Sequence, residues 1–236
     1  MKPSRTRLAG VALLAATLFA AAPLPAGADD GWQQDANEKG VVVTTKTEAG
    51  RSLPIFRGVG QVDAGAYEIL AVLDDVTRFT EWMADCKGAR VVKQISEFER
   101  IEYNRIAAPW PVSDRDTTVR SWVEATASKG EIWARFQSIS APEAGPVAGV
   151  VRMPRLVGYY HLQAIDAGHT KVTYQVDADP GGLLPEWLVK LTSRKLPIET
   201  LVGLRRQVGK TRGTYEAFLK KYDPTKGGKV PDQFAK

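Results

Sequence analysis

Two histidines and one cysteine are the residues of this chain whose chemistry would suit a metal site or a nucleophile. Zinc needs three or four clustered nitrogen, sulfur or oxygen ligands, but His161 lies in a β-like run and His169 in the turn "DAGHTK", without further ligands at a suitable spacing. Cys86 has no histidine near it in the sequence that could act as its base. We therefore expect no catalytic residue, no metal and no cofactor.

Three other kinds of site are also not expected. The stretch "DADPGG" (177–182) resembles a calcium loop but lacks the third acidic position and the closing glutamate, so it indicates a turn. The sequence contains no glycine-rich loop of the phosphate-binding type. It also has no cluster of lysine and arginine with interleaved aromatic residues, so we expect no nucleic acid partner.

The amino-terminal segment is typical of an exported protein. Lys2, Arg5 and Arg7 precede an apolar stretch at 8–22, and a small-residue tripeptide follows at 26–28. The stretch is shorter than the ~20 residues of a membrane span, so we expect residues 1–28 to be a cleaved signal peptide. Without the three basic residues the net charge falls from +5 to +2. The sequence predicts a soluble periplasmic protein, and we expect a monomer.

The elements between residues 41 and 179 predict one helix and an antiparallel sheet. Residues 63–82 have apolar spacing typical of a helix, with Asp63 as a plausible amino-terminal cap. Short runs rich in β-branched and aromatic residues surround this helix and are separated by Gly, Pro, Ser or Asp. They are "GVVVTTKTEA", "SLPIFRGVGQV", "ARVVKQI", "FERIEYNRI", "DTTVRSWVEA", "EIWARFQSI", "GVVRMPRLVGYYHLQAI" and "TKVTYQVDAD". Short turns between consecutive runs favour a meandering antiparallel sheet.

The corner "PWPVSDRD" separates two of these strands. Proline has no amide hydrogen for a sheet ladder, so Pro109 and Pro111 are expected to end one strand and fix the connection to the next.

The carboxy-terminal part predicts one long helix. Its apolar seam consists of Trp187, Leu191, Ile198, Leu201, Val208, Tyr215 and Leu219, at steps of three, four and seven. Pro185 suits the first turn, and Pro197 is expected to kink the helix. We expect a single domain over residues 29–222, followed by a loose tail at 223–236.

Four stretches in this order carry a family resemblance. They are "FTEW", "PWPVSDRDTTVRSW", "AGVVRMP" and "TKVTYQVDADPGGLLPEWLVKLTSRKLP". From about Asp63 to Val208 the chain resembles the START lipid-transfer domain. The resemblance implies an α+β helix-grip fold, in which a curved antiparallel sheet wraps the carboxy-terminal helix and leaves a tunnel for one lipid.

The resemblance also implies where a polar anchor would lie. In the steroid-binding branch of the family an acid and an arginine pair inside the tunnel. An ungapped count from Arg115 places Glu102 on the acidic position and Ser121 on the arginine position, while Arg120 falls on the opposite face. Arg105 and Arg152 could replace the missing arginine, although exposed strand charges are the commoner arrangement.

The remaining site expectations concern the helix and one loop. Leu191, Ile198 and Leu201 of the seam either line the tunnel or pack directly on the sheet. The loop 140–149 is rich in small residues and is expected, together with the helix at Pro197, to form the gate. The gate residues of the loop are Ala144, Gly145 and Pro146.

The sequence therefore predicts a non-enzymatic carrier of one hydrophobic molecule or lipid that contacts membranes transiently. A closed tunnel avoids exposing lipid surface to water, which costs ~25 cal/mol per Å². Two alternatives stay open: a polyketide cyclase or aromatase-like enzyme on the same fold, and a purely structural envelope protein without a cavity.

Overall fold

The computed structural model describes residues 31–51, 53–126, 130–182, 184–230 and 234. The expected signal peptide at 1–28 lies outside these residues. No helix in the described ranges is both long and apolar enough to span a membrane.

The described strands form one curved, ten-stranded sheet. Nine of them follow the spatial order β1-β2-β3-β10-β9-β7-β6-β5-β4, with antiparallel pairing throughout, and short β8 pairs with β6 in parallel. The strands are β1 Gln33–Glu38, β2 Val41–Lys46, β3 Ile55–Val62, β4 Cys86–Ser96, β5 Glu99–Ile106, β6 Asp114–Thr126, β7 Glu131–Ser138, β8 Val150–Arg152, β9 Arg155–Asp166 and β10 His169–Asp179.

Four α-helices accompany the sheet in the described chain: α1 Ala66–Asp74, α2 Phe79–Trp82, α3 Glu186–Lys210 and α4 Glu216–Tyr222. Together with the sheet, α3 confirms the predicted α+β helix-grip fold. The main core lies between the sheet and α1, α2 and the second half of α3, where apolar side chains of all these elements are buried together.

Several predicted boundaries differ from the structure. Helix α1 is capped at Gly65 and not at Asp63, because the Glu68 carboxylate accepts a hydrogen bond from the Gly65 amide at 3.0 Å. The run at 149–165 is two strands, since Pro154 lies between β8 and β9. Strand β1 was not expected, because its sequence "QQDANE" is polar and lies at the sheet edge.

The corner between β5 and β6 agrees with the prediction from its prolines. β5 ends at Ile106 and β6 begins at Asp114. A turn lies between them, in which the Val112 amide donates to the Pro109 carbonyl at 3.0 Å, and the peptide bond before Pro111 is cis.

The carboxy-terminal region corrects two expectations. The long helix ends at Lys210, because Gly213 adopts a φ of +82° and α4 then begins a new direction. The tail is not loose where it is described. Phe234 is 1% exposed and packs on Phe98, with ring centroids 4.6 Å apart.

Candidate functional site

A cavity of about 470 Å³ lies between the inner face of the sheet and the first half of α3. Most of its lining is apolar, with side chains from strands β3, β5, β6, β7, β9 and β10 and from α1 and α3. The volume is in the range of roughly 300–1,000 Å³ that is usual for small-molecule sites. The arrangement suits a mainly hydrophobic molecule.

Helix α3 divides into two parts at Pro197. Before it, Leu188, Leu191 and Leu196 line the cavity; beyond it, Ile198 and Leu201 are buried in the core. The sequence left open whether the seam faces a cavity or the sheet. In the structure Leu191 lines the cavity, whereas Ile198 and Leu201 are buried in the core.

Two glycines allow the second half of α3 to approach its neighbours. A Cβ at Gly58 of β3 would lie 2.9 Å from Pro197 Cβ, and one at Gly203 of α3 would lie 2.0 Å from the Trp82 carbonyl oxygen. Both positions therefore exclude larger side chains where α3 crosses the sheet and α2.

The cavity reaches the surface between the β5–β6 corner and α3. Pro109 on the corner and Leu191 on α3 both line the cavity and are exposed. Next to them, Trp110 is 91% exposed and Trp187 is 50% exposed. The mouth is therefore bordered by large apolar side chains that face solvent.

A buried ionic cluster forms the polar part of the lining. Arg100 Nε donates to Glu102 Oε1 at 2.7 Å, and Ser121 Oγ donates to the same oxygen at 2.6 Å. Arg100 also pairs with Asp74 of α1 and donates to the Leu73 carbonyl at 3.2 Å. Strand alternation explains the grouping: positions 100 and 102 share one face of β5, and Ser121 is opposite Arg100 in the β5–β6 register.

The electrostatics keep the Arg100 guanidinium charged. Burial lowers the pKa of this guanidinium, but Glu102 and Asp74 outweigh burial and raise the pKa above its usual value. Arg100 is already paired with two carboxyl groups. Its remaining N–H donors suit a neutral polar group, whereas an anion would find no uncompensated cation there.

Among the uncharged lining atoms, Asn104 Oδ1 and Thr200 Oγ1 have no hydrogen-bond partner within the described residues. Asn104 is 8% exposed and Thr200 is fully buried. A buried polar atom without a partner is costly, so a ligand hydroxyl or amide at this place would be stabilised.

The structure places the two substitute arginines away from the cavity lining. Arg105 pairs with Asp114 at 2.6 Å, and Arg152 pairs with Asp116 at 2.7 Å. They occupy the opposite strand face from Glu102, so the expectation that one of them supplies the cation is corrected in favour of Arg100.

The expected gate residues also lie outside the lining. Ala144 is buried, and Arg152 Nη2 donates to the carbonyls of Ala144 and Gly145 at 3.0 and 3.2 Å. Pro146 is exposed in the same loop. The loop is thus held by a charged side chain, which its composition did not indicate, and its role as a gate stays a prediction.

The histidines and the cysteine form no recognisable reactive site. His161 stacks on Trp133 with ring centroids 3.6 Å apart, and His169 lies 2.8 Å from Asp166. Burial raises the pKa of the Cys86 thiol, which disfavours the thiolate. Within the described residues no three His, Cys, Asp or Glu side chains are grouped as metal ligands would be.

Sequence reasoning missed Arg100 and Asp74. The available signal was the reversed alternation of "ERIEYNRI", in which Arg100, Glu102 and Asn104 are buried while Ile101 and Tyr103 are only partly buried. A strand that turns its charged side chains inward indicates a polar-lined site.

Comparison with known proteins agrees with this geometry. The model of the START domain family matches residues 17–212. An uncharacterized protein of Pseudomonas aeruginosa is 33% identical over 193 residues, which cover 82% of this chain and 93% of the relative.

Solved structures show the same fold. The STAR-related lipid transfer protein of Xanthomonas axonopodis is 34% identical with a TM-score of 0.68, and the match covers 76% of this chain and 99% of that fragment. Human STARD10 is 21% identical with a TM-score of 0.69, covering 82% and 79%. A more distant fold neighbour is the Zhui aromatase/cyclase from Streptomyces, at 12% identity and a TM-score of 0.50 over 67% and 94%.

Proposed function

The chain belongs to the START domain family, and on that premise we propose that it binds one lipid in its cavity and transfers it through water. The observation that carries the proposal is the cavity of about 470 Å³, whose mainly apolar wall also holds a few buried polar side chains. An apolar body would fill the wall, and a polar head would meet Arg100, Ser121 or Asn104. This division matches the two parts of an amphiphile.

The enclosed geometry supports a carrier in particular. Burying an apolar chain gains roughly 25 cal/mol for each Å² removed from water. The Xanthomonas relative, at 34% identity, is named as a STAR-related lipid transfer protein. We propose that no chemical step accompanies binding and that the protein acts as a monomer in the periplasm.

Transfer requires contact with a membrane, and the mouth supports one. Trp110, Trp187 and Leu191 are large apolar side chains exposed beside cavity-lining residues. Tryptophan favours the interface between lipid and water. We propose that this rim contacts the bilayer transiently while the lipid enters or leaves.

Native mass spectrometry of protein purified from its own periplasm tests the proposal. We expect a retained lipid in the wild-type protein and none in Ala134→Trp, since Ala134 lines the cavity and the indole would fill it. The matched control is Ala164→Trp on the exposed end of β9. A chemically altered polyketide in the cavity would instead favour the cyclase alternative, and an empty protein that takes up no lipid would contradict lipid binding.

A further inference from the structure

Arg115 is a buried cation in the wall of the cavity. It is the second residue of β6 and is 8% exposed. The β5–β6 register places it opposite Ile106, which lines the same cavity. The anchor positions that the family resemblance implies, Glu102 and Ser121, do not include Arg115.

Neutral carbonyls hold the guanidinium in place. Nη1 donates to Ser113 at 2.6 Å, Nη2 to Gly181 at 3.3 Å and Nε to Pro180 at 3.4 Å. Three carbonyl acceptors fix the direction of the side chain but leave its charge uncancelled, and within the described residues they engage three of its five N–H donors.

The neighbouring acids are committed to other cations. Asp114 pairs with Arg105 and Lys87, and Asp116 pairs with Arg152, all on the opposite strand face.

The acids of the cavity wall do not neutralise Arg115 either. Asp74 and Glu102 pair with Arg100, and Asp85 is exposed at the mouth. No carboxylate of the described residues forms an ion pair with Arg115. Burial lowers the pKa of its guanidinium, and no carboxylate opposes that effect.

We infer that the lipid carries an anionic group, a carboxylate or a phosphate, and that Arg115 binds it; the inference rests on the proposed lipid-binding function. A buried charge without a counter-ion is costly, and an anionic oxygen at the free N–H donors would remove that cost. The planar guanidinium suits the paired oxygens of either group.

The position of Arg115 separates this anion site from the Glu102 cluster. Ile106 lies six positions along β5 from Arg100 and four from Glu102, which corresponds to about 20 Å and about 13 Å at ~3.3 Å per residue. At the other end Arg100 is already paired with Glu102 and Asp74, so that cluster offers an anion no uncompensated cation. The two ends of the cavity thus select different chemical groups.

Three probes with the same sixteen-carbon chain test the inference. Palmitate, 1-palmitoyl lysophosphatidic acid and hexadecanol are delivered from cyclodextrin to the full mature protein, and their dissociation constants are measured. Charge-assisted hydrogen bonds lead us to expect that wild type prefers at least one anionic probe over hexadecanol by about tenfold or more. The two anionic probes distinguish a carboxylate site from a phosphate site.

Arg115→Gln should remove this preference, measured as the ratio between the dissociation constants for hexadecanol and for the anionic probe. Arg105→Gln, at the same end of the strand pair but outside the cavity lining, should retain the preference. The Nε–H resonance of Arg115 in wild-type protein gives a second measurement that needs no variant, and it should shift with the anionic probe and stay in place with hexadecanol.

Equal affinity of wild type for all three probes would overturn the anion site while supporting lipid binding. A preference that persists in folded Arg115→Gln, or an unmoved Nε–H resonance, would also overturn it. Failure of wild type to bind any of the probes would overturn the proposed function together with this inference.

Discussion

Ser121 Oγ donates a hydrogen bond to Glu102 Oε1 at 2.6 Å across the β5–β6 pair, and Arg100 Nε donates to the same oxygen at 2.7 Å. The residue on the family's arginine position therefore still contacts the acid, while the cation comes from two residues earlier on the acid's own strand. The polar anchor is retained by a different set of side chains.

Removing the charge of Glu102 should destabilise the protein. Glu102→Gln leaves buried Arg100 with Asp74 as its remaining carboxylate, and we expect a loss of about 2 kcal/mol in the free energy of unfolding. Urea denaturation measures it. Glu99→Gln is the control, because its pair with 51% exposed Arg120 should contribute at most ~1 kcal/mol. Equal losses in the two variants would contradict the importance of burial.

The decline of the free energy of unfolding at low pH should depend on Asp114. Hydrogen bonds from Lys87 and Arg105 lower the pKa of this carboxyl to about 2, below the ~3.9 of an unfolded aspartate. Its stabilising contribution is therefore complete above about pH 4 and is lost as the pH falls toward 2. Unfolding measured from pH 5 to 2 should show a shallower decline in Asp114→Asn. The double variant Lys87→Gln/Arg105→Gln should show the same change, and an unchanged slope in both would refute this assignment.

Adding a methyl group to helix α3 should lower the stability of the protein at Gly203 and should be tolerated at Gly209. Gly203→Ala places a Cβ 2.0 Å from the Trp82 carbonyl oxygen and should cost about 1–3 kcal/mol. Gly209→Ala meets no atom within 4 Å and should stabilise by up to ~1 kcal/mol. Thermal or urea unfolding of both variants checks the pair, and similar effects at the two positions would show that α3 does not cross α2 this closely.

The exposed tryptophans should control delivery to membranes and leave lipid binding unaffected. Trp110→Ala/Trp187→Ala is expected to slow transfer of a bound fluorescent lipid to vesicles at least several-fold, with an unchanged dissociation constant for the lipid. Trp133→Ala, on the outer face where it stacks on His161, is the control. Transfer at the wild-type rate would place the membrane contact elsewhere on the surface.

The predicted gate can be tested by releasing its clamp. Arg152→Gln/Asp116→Asn removes the donor to the Ala144 and Gly145 carbonyls without leaving Asp116 as a buried unpaired charge. If loop 140–149 is the gate, lipid uptake in stopped-flow measurements should accelerate. Asp116→Asn alone is the control, and identical uptake in both variants would remove the loop from the entry path.

The fold followed closely from local sequence patterns. Runs of β-branched and aromatic residues between turn residues located β2 through β7, β9 and β10, and most of these strands have a buried face that requires apolar residues. Strand β1 escaped detection since an edge strand with polar side chains has no such face. The break after Lys210 also escaped, because the apolar spacing continues into α4 while Gly213 adopts a positive φ that interrupts the helix.

The site was less predictable, for a physical reason. Glu102 was found through the resemblance, but Arg100 lies two residues away on the same face and was overlooked because inward charges are rare in strands. Asp74 was beyond sequence reasoning, since its contact depends on how α1 packs against β5. Arg105 and Arg152 have suitable side chains but lie on the opposite strand face from Glu102. A shift of one residue along a strand decides which face a side chain occupies.

The division of α3 at Pro197 separates ligand selection from folding. Leu188 and Leu191 line the cavity outside the main core, so substitutions there can reshape the cavity with little effect on that core. Ile198 and Leu201 are buried against other side chains and tolerate little change in volume. Within one helix, evolution can therefore alter the cargo in the first half while selection on stability holds the second half constant.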